Sequence, residues 1–291
     1  MASSSQSVVR IRPPEKWPTI DIGELWCYRE LIWTLALRDI KVRYKQTALG
    51  IAWAILPPFM TMVVFNVLFG LLMGSGGRPT IQGVPYAIST FCALVPWQLF
   101  ATTLDQSGKS LVLNRGLITK VYFPRIIAPI APIVSALFDF LIALAFLFIL
   151  IFGYHIFSNY SFDFSWRILS LPVLTILAIA AALSISLWAA ALNAIYRDVQ
   201  YALPFVIQML MFVTPVIYPA SVVLQNKPTW IVVLYGLNPM AGVVEGFRWV
   251  LFGSSTFNLV LLATSVVMTI LVLCSGIIYF NRLESEFVDI V

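Results

Sequence analysis

One triplet in this chain has the residue types of a nucleotide-binding loop. Gly108-Lys109-Ser110 matches the end of the pattern G-x-x-x-x-G-K-[ST], in which backbone amides and a lysine hold the phosphates of ATP. The first glycine of that pattern belongs at position 103, where the sequence has Thr103. The preceding residues, VPWQLFATTL, are those of a membrane helix, whereas a phosphate loop follows a strand. We therefore expect no ATPase site in this chain.

Side chains that commonly serve in catalysis or hold metals are few. The single histidine, His155, follows a long apolar run and is interpreted as a residue at the membrane surface. The three cysteines, Cys27, Cys92 and Cys274, have neither disulfide nor zinc spacing. We expect no catalytic residue, no metal site and no cofactor in this chain, which is predicted not to be an enzyme. A nucleic-acid partner is not expected either.

Two apolar segments carry ionisable residues, which are costly in a membrane and usually have a partner or a function. Asp139 stands within SALFDFLIALAF, so we expect it to face protein, toward the outer side or toward a polar partner on a neighbouring span. Proton coupling is the less favoured alternative, because no second acid or histidine chain accompanies it. Glu245 and Arg248 are three residues apart and are predicted to pair on one helix face.

The composition indicates which elements must position these residues. Of the 291 residues, 60% are hydrophobic and 11% are charged, whereas a soluble domain has about 25% charged residues. A helix needs roughly 20 apolar residues to cross the hydrocarbon core. The sequence therefore predicts an all-α polytopic membrane protein with six transmembrane helices, at about 49–73, 84–104, 126–152, 168–195, 201–219 and 257–280.

A further apolar stretch, 229–252, is divided in the middle by Asn238-Pro239. Because proline interrupts a helix, this stretch is interpreted as two half-length helices that enter and leave on the same side. Irregular backbone at membrane depth is tolerated where protein or water surrounds it. The sequence therefore predicts a re-entrant pair over 226–252, between the fifth and sixth spans.

The distribution of lysine and arginine orients these spans, because cytoplasmic segments are enriched in both residues. With the N-terminus inside, all but four of the 18 lysines and arginines fall in cytoplasmic segments, the exceptions being Arg78, Arg167, Lys227 and Arg248. We therefore expect both termini to be cytoplasmic. Residues 1–20 are polar and lack an apolar signal region, so they are interpreted as a flexible cytoplasmic tail.

Residues 21–45 precede the first span and are predicted to form an amphipathic helix at the membrane interface. Asp21 and Glu24 have the spacing of a capping box, which indicates a helix start. Four cations then crowd before the first span: Arg38, Lys41, Arg43 and Lys45. They either fix the topology and attract anionic lipid, or hold a phosphate-containing lipid headgroup at the entrance, and the two roles are compatible.

The segment 106–125 is basic, long for a connection between membrane helices, and rich in apolar residues. Apolar residues exposed toward the cytoplasm indicate a docking surface for another protein. A helix lying on the membrane surface is the alternative.

Six motifs resemble, in order, those of the ABC-2-type permeases. They are RDIKVRYKQTALGIAWAILPP (38–58), NRGLITKVYFPR (114–125), YRDV (196–199), TPVIYP (214–219), NPM (238–240) and FNRLESEFVDIV (280–291). The chain looks most like the polysaccharide-exporting branch of that family, which includes the transmembrane subunits of O-antigen, capsule and teichoic-acid exporters. The resemblance covers roughly 30–291.

This resemblance implies a homodimer that works with two copies of a separate ATPase subunit, to which ATP and Mg²⁺ bind. It also implies that 108–123 is the coupling helix inserted into the ATPase, with YRDV at the second cytoplasmic turn. The residues expected to contact the ATPase are Leu111, Asn114, Arg115, Leu117, Ile118, Lys120, Tyr122, Phe123, Arg197 and Asp198.

The resemblance further implies that a polyprenyl-diphosphate-linked polysaccharide enters near the first span and crosses the bacterial inner membrane. The first and fifth spans of both subunits would line its channel, with sugar-stacking aromatic residues Phe59, Phe65, Phe69, Phe205, Phe212 and Tyr218. The re-entrant pair would form the periplasmic gate, with Tyr235, Asn238, Pro239, Glu245 and Arg248.

Other functions stay open at this point. Within the family, the substrate is alternatively teichoic acid, a small lipid or a drug. A membrane-embedded glycan-modifying enzyme is less favoured, because it needs a cluster of acids, histidines or metal ligands. A proton-driven flippase is also less favoured, because such proteins usually have more spans or an internal repeat.

Overall fold

The computed structural model describes residues 22–45, 47–73, 84–157, 165–253 and 257–284, and all regular structure within these ranges is helical. A 3-10 turn, Trp166–Ser170, precedes the seventh helix. The helices are α1 Ile22–Cys27, α2 Arg29–Tyr44, α3 Ala52–Met73, α4 Tyr86–Leu113, α5 Arg115–Ile118, α6 Ile127–Phe157, α7 Leu171–Ile195, α8 Val199–Val213, α9 Ala220–Leu224, α10 Thr229–Gly236, α11 Pro239–Phe252 and α12 Leu259–Glu284.

Five helices of the described chain are long and apolar enough to cross a membrane: α3, α4, α6, α7 with its preceding turn, and α12. The pair α10–α11 is bent by 104° at Leu237–Asn238, so it is either one broken span or a re-entrant loop. The predicted fifth span is shorter than expected, because α8 has 15 residues and the chain leaves the helix at Thr214. The prediction of an all-α polytopic membrane protein is confirmed.

The second span, α4, lies at the centre of the bundle and packs against α3, α6, α7, α8 and α11. Every residue from Tyr86 to Trp97 is buried. The helix extends to Leu113, whereas the predicted span ended near 104. Polar residues after Leu104 do not end the helix, because Asp105 and Lys109 pair one turn apart along it, with Nζ and Oδ1 2.5 Å apart. The basic segment 106–125 is therefore helical over 106–113, and again over α5.

The segment before the first span forms two helices, α1 and α2, that separate at Tyr28. Leu35 of α2 packs with Ile127 and Ala131, so α2 lies along the first turns of α6. Trp33, on another side of α2, is exposed. The predicted helix at 21–45 is thus attached to the protein on one side. Asp21, and with it the predicted capping box, lies outside the described residues, as do the N-terminal tail and the last seven residues.

Candidate functional site

Two turns of the chain project from one end of the bundle, which we call the basic end: 114–125, between α4 and α6, and 196–198, between α7 and α8. An apolar cluster that includes Leu111, Ile126, Ala194 and Phe280 joins the helix ends there. The distribution of lysine and arginine predicts that this end faces the cytoplasm. We call the opposite end of the bundle the far end.

The triplet Gly108-Lys109-Ser110 lies inside the continuous helix α4. A Cβ atom on Gly108 would lie 2.6 Å from Cδ1 of Leu203 and 3.3 Å from Cβ of Ala189, so this glycine permits close packing of α4 on α7 and α8. The Ser110 hydroxyl donates to the Ser107 carbonyl at 2.7 Å. Because the backbone amides here belong to a helix, they cannot surround a phosphate as a loop does.

The ten predicted ATPase contacts divide into three groups by exposure. Arg115, Lys120, Tyr122, Arg197 and Asp198 are exposed at the basic end. Leu117 and Ile118 are half-buried. Leu111, Asn114 and Phe123 are buried within the chain.

The predicted contact surface therefore has to be corrected at its three buried positions. Leu111 and Phe123 belong to clusters that fasten α4, α6 and α7 together and α6 to α2, and the Asn114 amide donates to the Ser110 carbonyl at 2.9 Å. Leu113, 75% exposed, and Val121, 52% exposed, offer apolar surface that the predicted set did not include.

Leu117 and Ile118 connect α5 to the helices before the first span. They pack in a cluster with Leu25, Leu31 and Leu35. A displacement of α5 would therefore be transmitted to α1 and α2 through apolar contact.

Arg197 and Asp198 lie in the second turn of the basic end, and as neighbours of opposite charge they could pair with each other. Within the described ranges the two side chains form no ion pair, and both are exposed. Their charges are therefore directed to solvent or to a partner. Asp198 precedes α8 and its carbonyl accepts the amides of Tyr201 and Ala202 at 3.1 Å each.

The four predicted entrance cations, three in α2 and one directly after it, have different surroundings. Arg38 donates to Asp39 through Nε and Nη2, at 3.0 and 2.9 Å. Lys41 and Lys45 have no side-chain hydrogen bond or ion pair in the described part of the chain. Together with Arg38 they line an open concavity of about 630 Å³ along α2. This arrangement can hold an anionic group by its two free ammonium groups.

Arg43 differs from the other three cations because its guanidinium donates to Asp139 of α6. The Tyr44 hydroxyl donates to the other oxygen of the same carboxylate. Burial raises the pKa of the Tyr44 phenol, although Arg43 lowers it, so the phenol keeps the proton that it donates.

The predicted surroundings of Asp139 are corrected accordingly. Asp139 has protein partners, as expected, but they come from the end of α2 and not from a neighbouring span. The Arg43 guanidinium donates to this carboxylate. Only its Nη1 atom is used in this contact, and the side chain remains 26% exposed, so the predicted role of Arg43 at the entrance stays a prediction.

At the far end, Glu245 and Arg248 form the predicted pair, with Oε1 and Nη1 2.7 Å apart. Both are buried in α11, and Arg248 is 1% exposed. Its guanidinium also donates to the carbonyls of Pro215 at 2.5 Å, Val216 at 2.6 Å and Tyr218 at 3.2 Å. The pair therefore fixes the non-helical chain between α8 and α9.

The bend between α10 and α11 is held by side chains from three directions. Asn238 accepts the Met240 amide at 3.0 Å, which caps α11, and donates to Thr214 at 2.8 Å. The Ser265 hydroxyl of α12 lies 3.1 Å from the Asn238 carbonyl and accepts the Gly242 amide at 3.0 Å. The hydroxyls of Tyr235 and Tyr218 are 3.3 Å apart.

The five predicted gate residues are thus brought together around the bend, with Pro239 at the start of α11. Thr214 and Ser265 complete this arrangement and were absent from the predicted set. Single hydroxyl residues in apolar spans give no distinctive sequence signal.

The predicted channel aromatics of α3 and α8 differ in their exposure. Phe59, Phe65 and Phe69 of α3 are half-buried against the core, and Phe69 lies 5.6 Å, centroid to centroid, from Tyr86. Phe205 and Phe212 of α8 are 62% and 48% exposed. The α8 aromatics are therefore accessible to a ligand, whereas those of α3 contribute to packing within the chain. Tyr218 is half-buried beside the bend.

In the described ranges, no group of three histidine, cysteine, aspartate or glutamate side chains comes close enough together to hold a metal ion. The crevice beside Asp139 has no second acid among its described lining residues. Its other lining side chains are Gln98, Thr102 and apolar residues.

The chain is similar to several curated transport proteins over most of its length. It is 27% identical over 269 residues to the O-antigen export system permease protein RfbA of Myxococcus xanthus, which covers 92% of this chain and 98% of that protein. A protein of the same name from Klebsiella pneumoniae is 27% identical over 90% of this chain and 95% of its own. The polysialic acid transport protein KpsM of Escherichia coli is 26% identical over 72% of this chain and 77% of its own.

The sequence model described as "ABC-2 type transporter" matches residues 30–252, which include every element from α3 to α11 and most of α2. The helical bundle, the two turns of the basic end and the bent pair all lie within the matched region or border on it. The chain belongs to the ABC-2 type transporter family.

Proposed function

We propose that this chain is the membrane-spanning permease subunit of an ABC exporter for polysaccharide, driven by ATP hydrolysis in a separate subunit. The observation that carries the proposal is the match to O-antigen export permeases, which extends over nine-tenths of this chain and nearly all of theirs. A match over most of both chains favours a common division of labour between subunits.

The basic end supports a docking site for the ATPase subunit. It exposes Leu113, Val121 and Tyr122 beside Arg115 and Lys120. Aromatic and apolar residues surrounded by charge are typical of protein interfaces. Since α5 contacts α1 and α2, force applied there would reach the start of the first span.

Two helices support a homodimer whose channel lies between the subunits. Only Leu203 of α8 is buried within the chain, and the apolar residues Trp53, Val64 and Leu71 of α3 are exposed. Both helices flank α4 and leave apolar faces uncovered. In the proposed dimer these faces meet the second subunit, line the channel or contact lipid.

Lys41 and Lys45 support an anionic, lipid-linked substrate. Their ammonium groups are unpaired in the described structure and line one concavity at the start of the first span. A diphosphate between lipid and glycan supplies the complementary charge. We place its entrance here, in the inner membrane of a bacterium with both termini of the chain cytoplasmic.

Export of teichoic acid, a small lipid or a drug by the same subunit arrangement is the nearest alternative. The relatives named for O-antigen and polysialic acid transport favour a long glycan. A glycan-modifying enzyme would need a cluster of catalytic groups, and the carboxylate of Glu245 near the bend accepts structural hydrogen bonds from Ala220 and Arg248.

Co-purification with a candidate ATPase and measurement of glycan export test this function. The chain is co-expressed with an ABC ATPase encoded beside it, and surface glycan is measured in cells that lack their own exporter. The proposal predicts a stable complex and surface glycan that disappears when the catalytic glutamate of the ATPase is replaced by glutamine. A chain that binds no ATPase, or glycan export that persists with the inactive ATPase, would contradict it.

A further inference from the structure

The central helix α4 carries a row of polar side chains on its one incompletely covered face. Gln98, Thr102, Asp105 and Lys109 are half-exposed, whereas the residues from Tyr86 to Trp97 are all buried. Their spacing of four, three and four residues places them on one side of a helix. We call these four residues the polar stripe.

Neighbouring residues of α4 locate the polar stripe within the bundle. Gly108 faces Leu203 of α8, and Gln106 lies 3.4 Å from the Ser135 hydroxyl of α6. Successive residues turn by roughly 100° around the helix. The stripe therefore points into the opening between α8 on one side and α3 with α6 on the other.

The stripe begins near the middle of the membrane and runs to the basic end. At roughly 1.5 Å per residue, Gln98 stands about 18 Å along α4 from Tyr86, and the stripe continues for about 16 Å. A hydrocarbon core is about 30 Å thick. With Tyr86 taken as the far boundary of the core, Gln98 lies near the middle of the membrane, and the stripe runs from there toward the basic end.

Within the described residues, the polar groups of the stripe bond only to one another. The Gln98 amide donates to Thr102 at 3.3 Å, and Lys109 pairs with Asp105 at 2.5 Å. The carbonyl of Gln98 and the hydroxyl proton of Thr102 have no partner there. Polar groups at this depth are costly unless they meet water or a polar ligand.

A small crevice beside Gln98, where the stripe begins, brings Asp139 of α6 close to the stripe. It lies between α3, α4 and α6, and Gln98, Thr102 and Asp139 are among its lining residues. Its volume of about 10 Å³ corresponds to a single water molecule. The crevice therefore has room for at most one water molecule, with Gln98, Thr102 and Asp139 as its polar neighbours.

From these observations we infer that the polar stripe is a contact surface for a hydroxyl-rich glycan chain in the basic half of the membrane. The inference rests on the proposed function. Amide, hydroxyl, carboxylate and ammonium groups supply both donors and acceptors, which suits sugar hydroxyls. The charges of Asp105 and Lys109 offset each other, so the stripe carries no net charge.

Access to the stripe is tested by cysteine labelling. Cys27, Cys92 and Cys274 are first replaced, by serine, alanine and serine. Single cysteines are then introduced as Gln98→Cys, Thr102→Cys or Thr103→Cys, and membranes containing the ATPase complex are treated with a water-soluble methanethiosulfonate. Thr103 is the matched control, because it neighbours Thr102 and is fully buried.

The inference predicts labelling at positions 98 and 102 but not at 103. It also predicts slower labelling in membranes from cells that make the lipid-linked glycan than in cells lacking the enzyme that attaches its first sugar phosphate. No labelling at 98 and 102 would mean that lipid or a second copy of the chain covers the stripe, and would overturn the inference. Labelling that is equal with and without glycan would overturn it as well.

Transport by conservative variants provides a second measurement. Thr102→Val and Gln98→Leu should each lower the rate of glycan export by roughly fivefold, which is the loss expected from one hydrogen bond. Thr103→Val should export like the unmodified protein, because the Thr103 hydroxyl is buried without a partner.

The two hypotheses fail separately in these experiments. Absence of export by the unmodified complex contradicts the proposed function. Normal export by Thr102→Val and Gln98→Leu, in cells where the unmodified complex exports glycan, overturns the role of the stripe alone.

Discussion

Arg43 and Asp139 form an ion pair across 96 positions of sequence, joining the end of α2 to the interior of α6. The Tyr44 hydroxyl donates to the same carboxylate. At its other end, α2 packs by Leu31 and Leu35 against the cluster that contains Leu117. The helix before the first span is therefore fixed at both ends, to the basic end and to the third span.

The first prediction concerns this ion pair. Asp139→Ala should destabilise the protein by about 2 kcal/mol, because it leaves the half-buried guanidinium of Arg43 without its carboxylate. A double-mutant cycle with Arg43→Ala, measured by denaturant unfolding in detergent, should give a coupling energy of about 1–2 kcal/mol. Arg38→Ala is the matched control and should cost under about 1 kcal/mol, since its pair with Asp39 is largely exposed. Additive effects of the two substitutions at 43 and 139 would show that the pair contributes nothing.

The second prediction concerns the buried arginine at the bend. Arg248→Ala should lower stability by about 3–5 kcal/mol, because Glu245 and three carbonyls of the chain between α8 and α9 lose their donor. Glu245→Gln should cost less, since its side-chain oxygen still accepts from Ala220 and Arg248. Melting temperature and protease resistance of that connection provide the measurement. Similar losses for the two variants would contradict this ranking.

The third prediction compares the effect on stability of alanine substitutions at two glycines near the basic end. Gly108→Ala should destabilise the protein by about 1–2 kcal/mol, because its new methyl group meets Leu203 and Ala189. Gly116→Ala meets nothing within 4 Å, and should be neutral or raise stability by up to about 1 kcal/mol. Adding Leu203→Ala to Gly108→Ala tests the cause, because it removes the atom that the new methyl contacts. A destabilising Gly116→Ala, or a Gly108→Ala variant without effect, would contradict the packing described here.

The fourth prediction concerns coupling at the basic end. Tyr122→Asp should leave the permease folded and abolish productive contact with the ATPase, because the 81% exposed side chain touches little of its own chain. Leu117→Asp should reduce stability as well, since Leu117 packs against α1 and α2. Thermal stability of the permease and glycan export by the complex are measured together, with Tyr122→Phe as the control. Full export by Tyr122→Asp would move the docking surface elsewhere.

Much of the fold was predictable because membrane spans need long apolar runs, which are visible without any partner. The helix α4 continues nine residues past the end of the predicted span, because the charges of Asp105 and Lys109 are paired along the helix. The Glu245–Arg248 pair was predictable from helical spacing.

The contacts of Asp139 were not predictable in the same way. Its partners, Arg43 and Tyr44, are set by packing of α2 on α6, and no local pattern relates segments so far apart. The same reason explains Leu111 and Phe123, whose apolar character suits a docking surface and a helix junction equally well. Only the tertiary contacts distinguish the two.

ATP-dependent export of glycan by the assembled complex is the measurement that tests the account most directly. Purified permease and ATPase are reconstituted in vesicles with a lipid-linked glycan on the outer, ATP-accessible face. The account predicts that glycan becomes protected from added glycosidase when ATP is supplied, and that Tyr122→Asp prevents this. Glycan that stays accessible with active ATPase, or that becomes protected without ATP, would contradict the central claim.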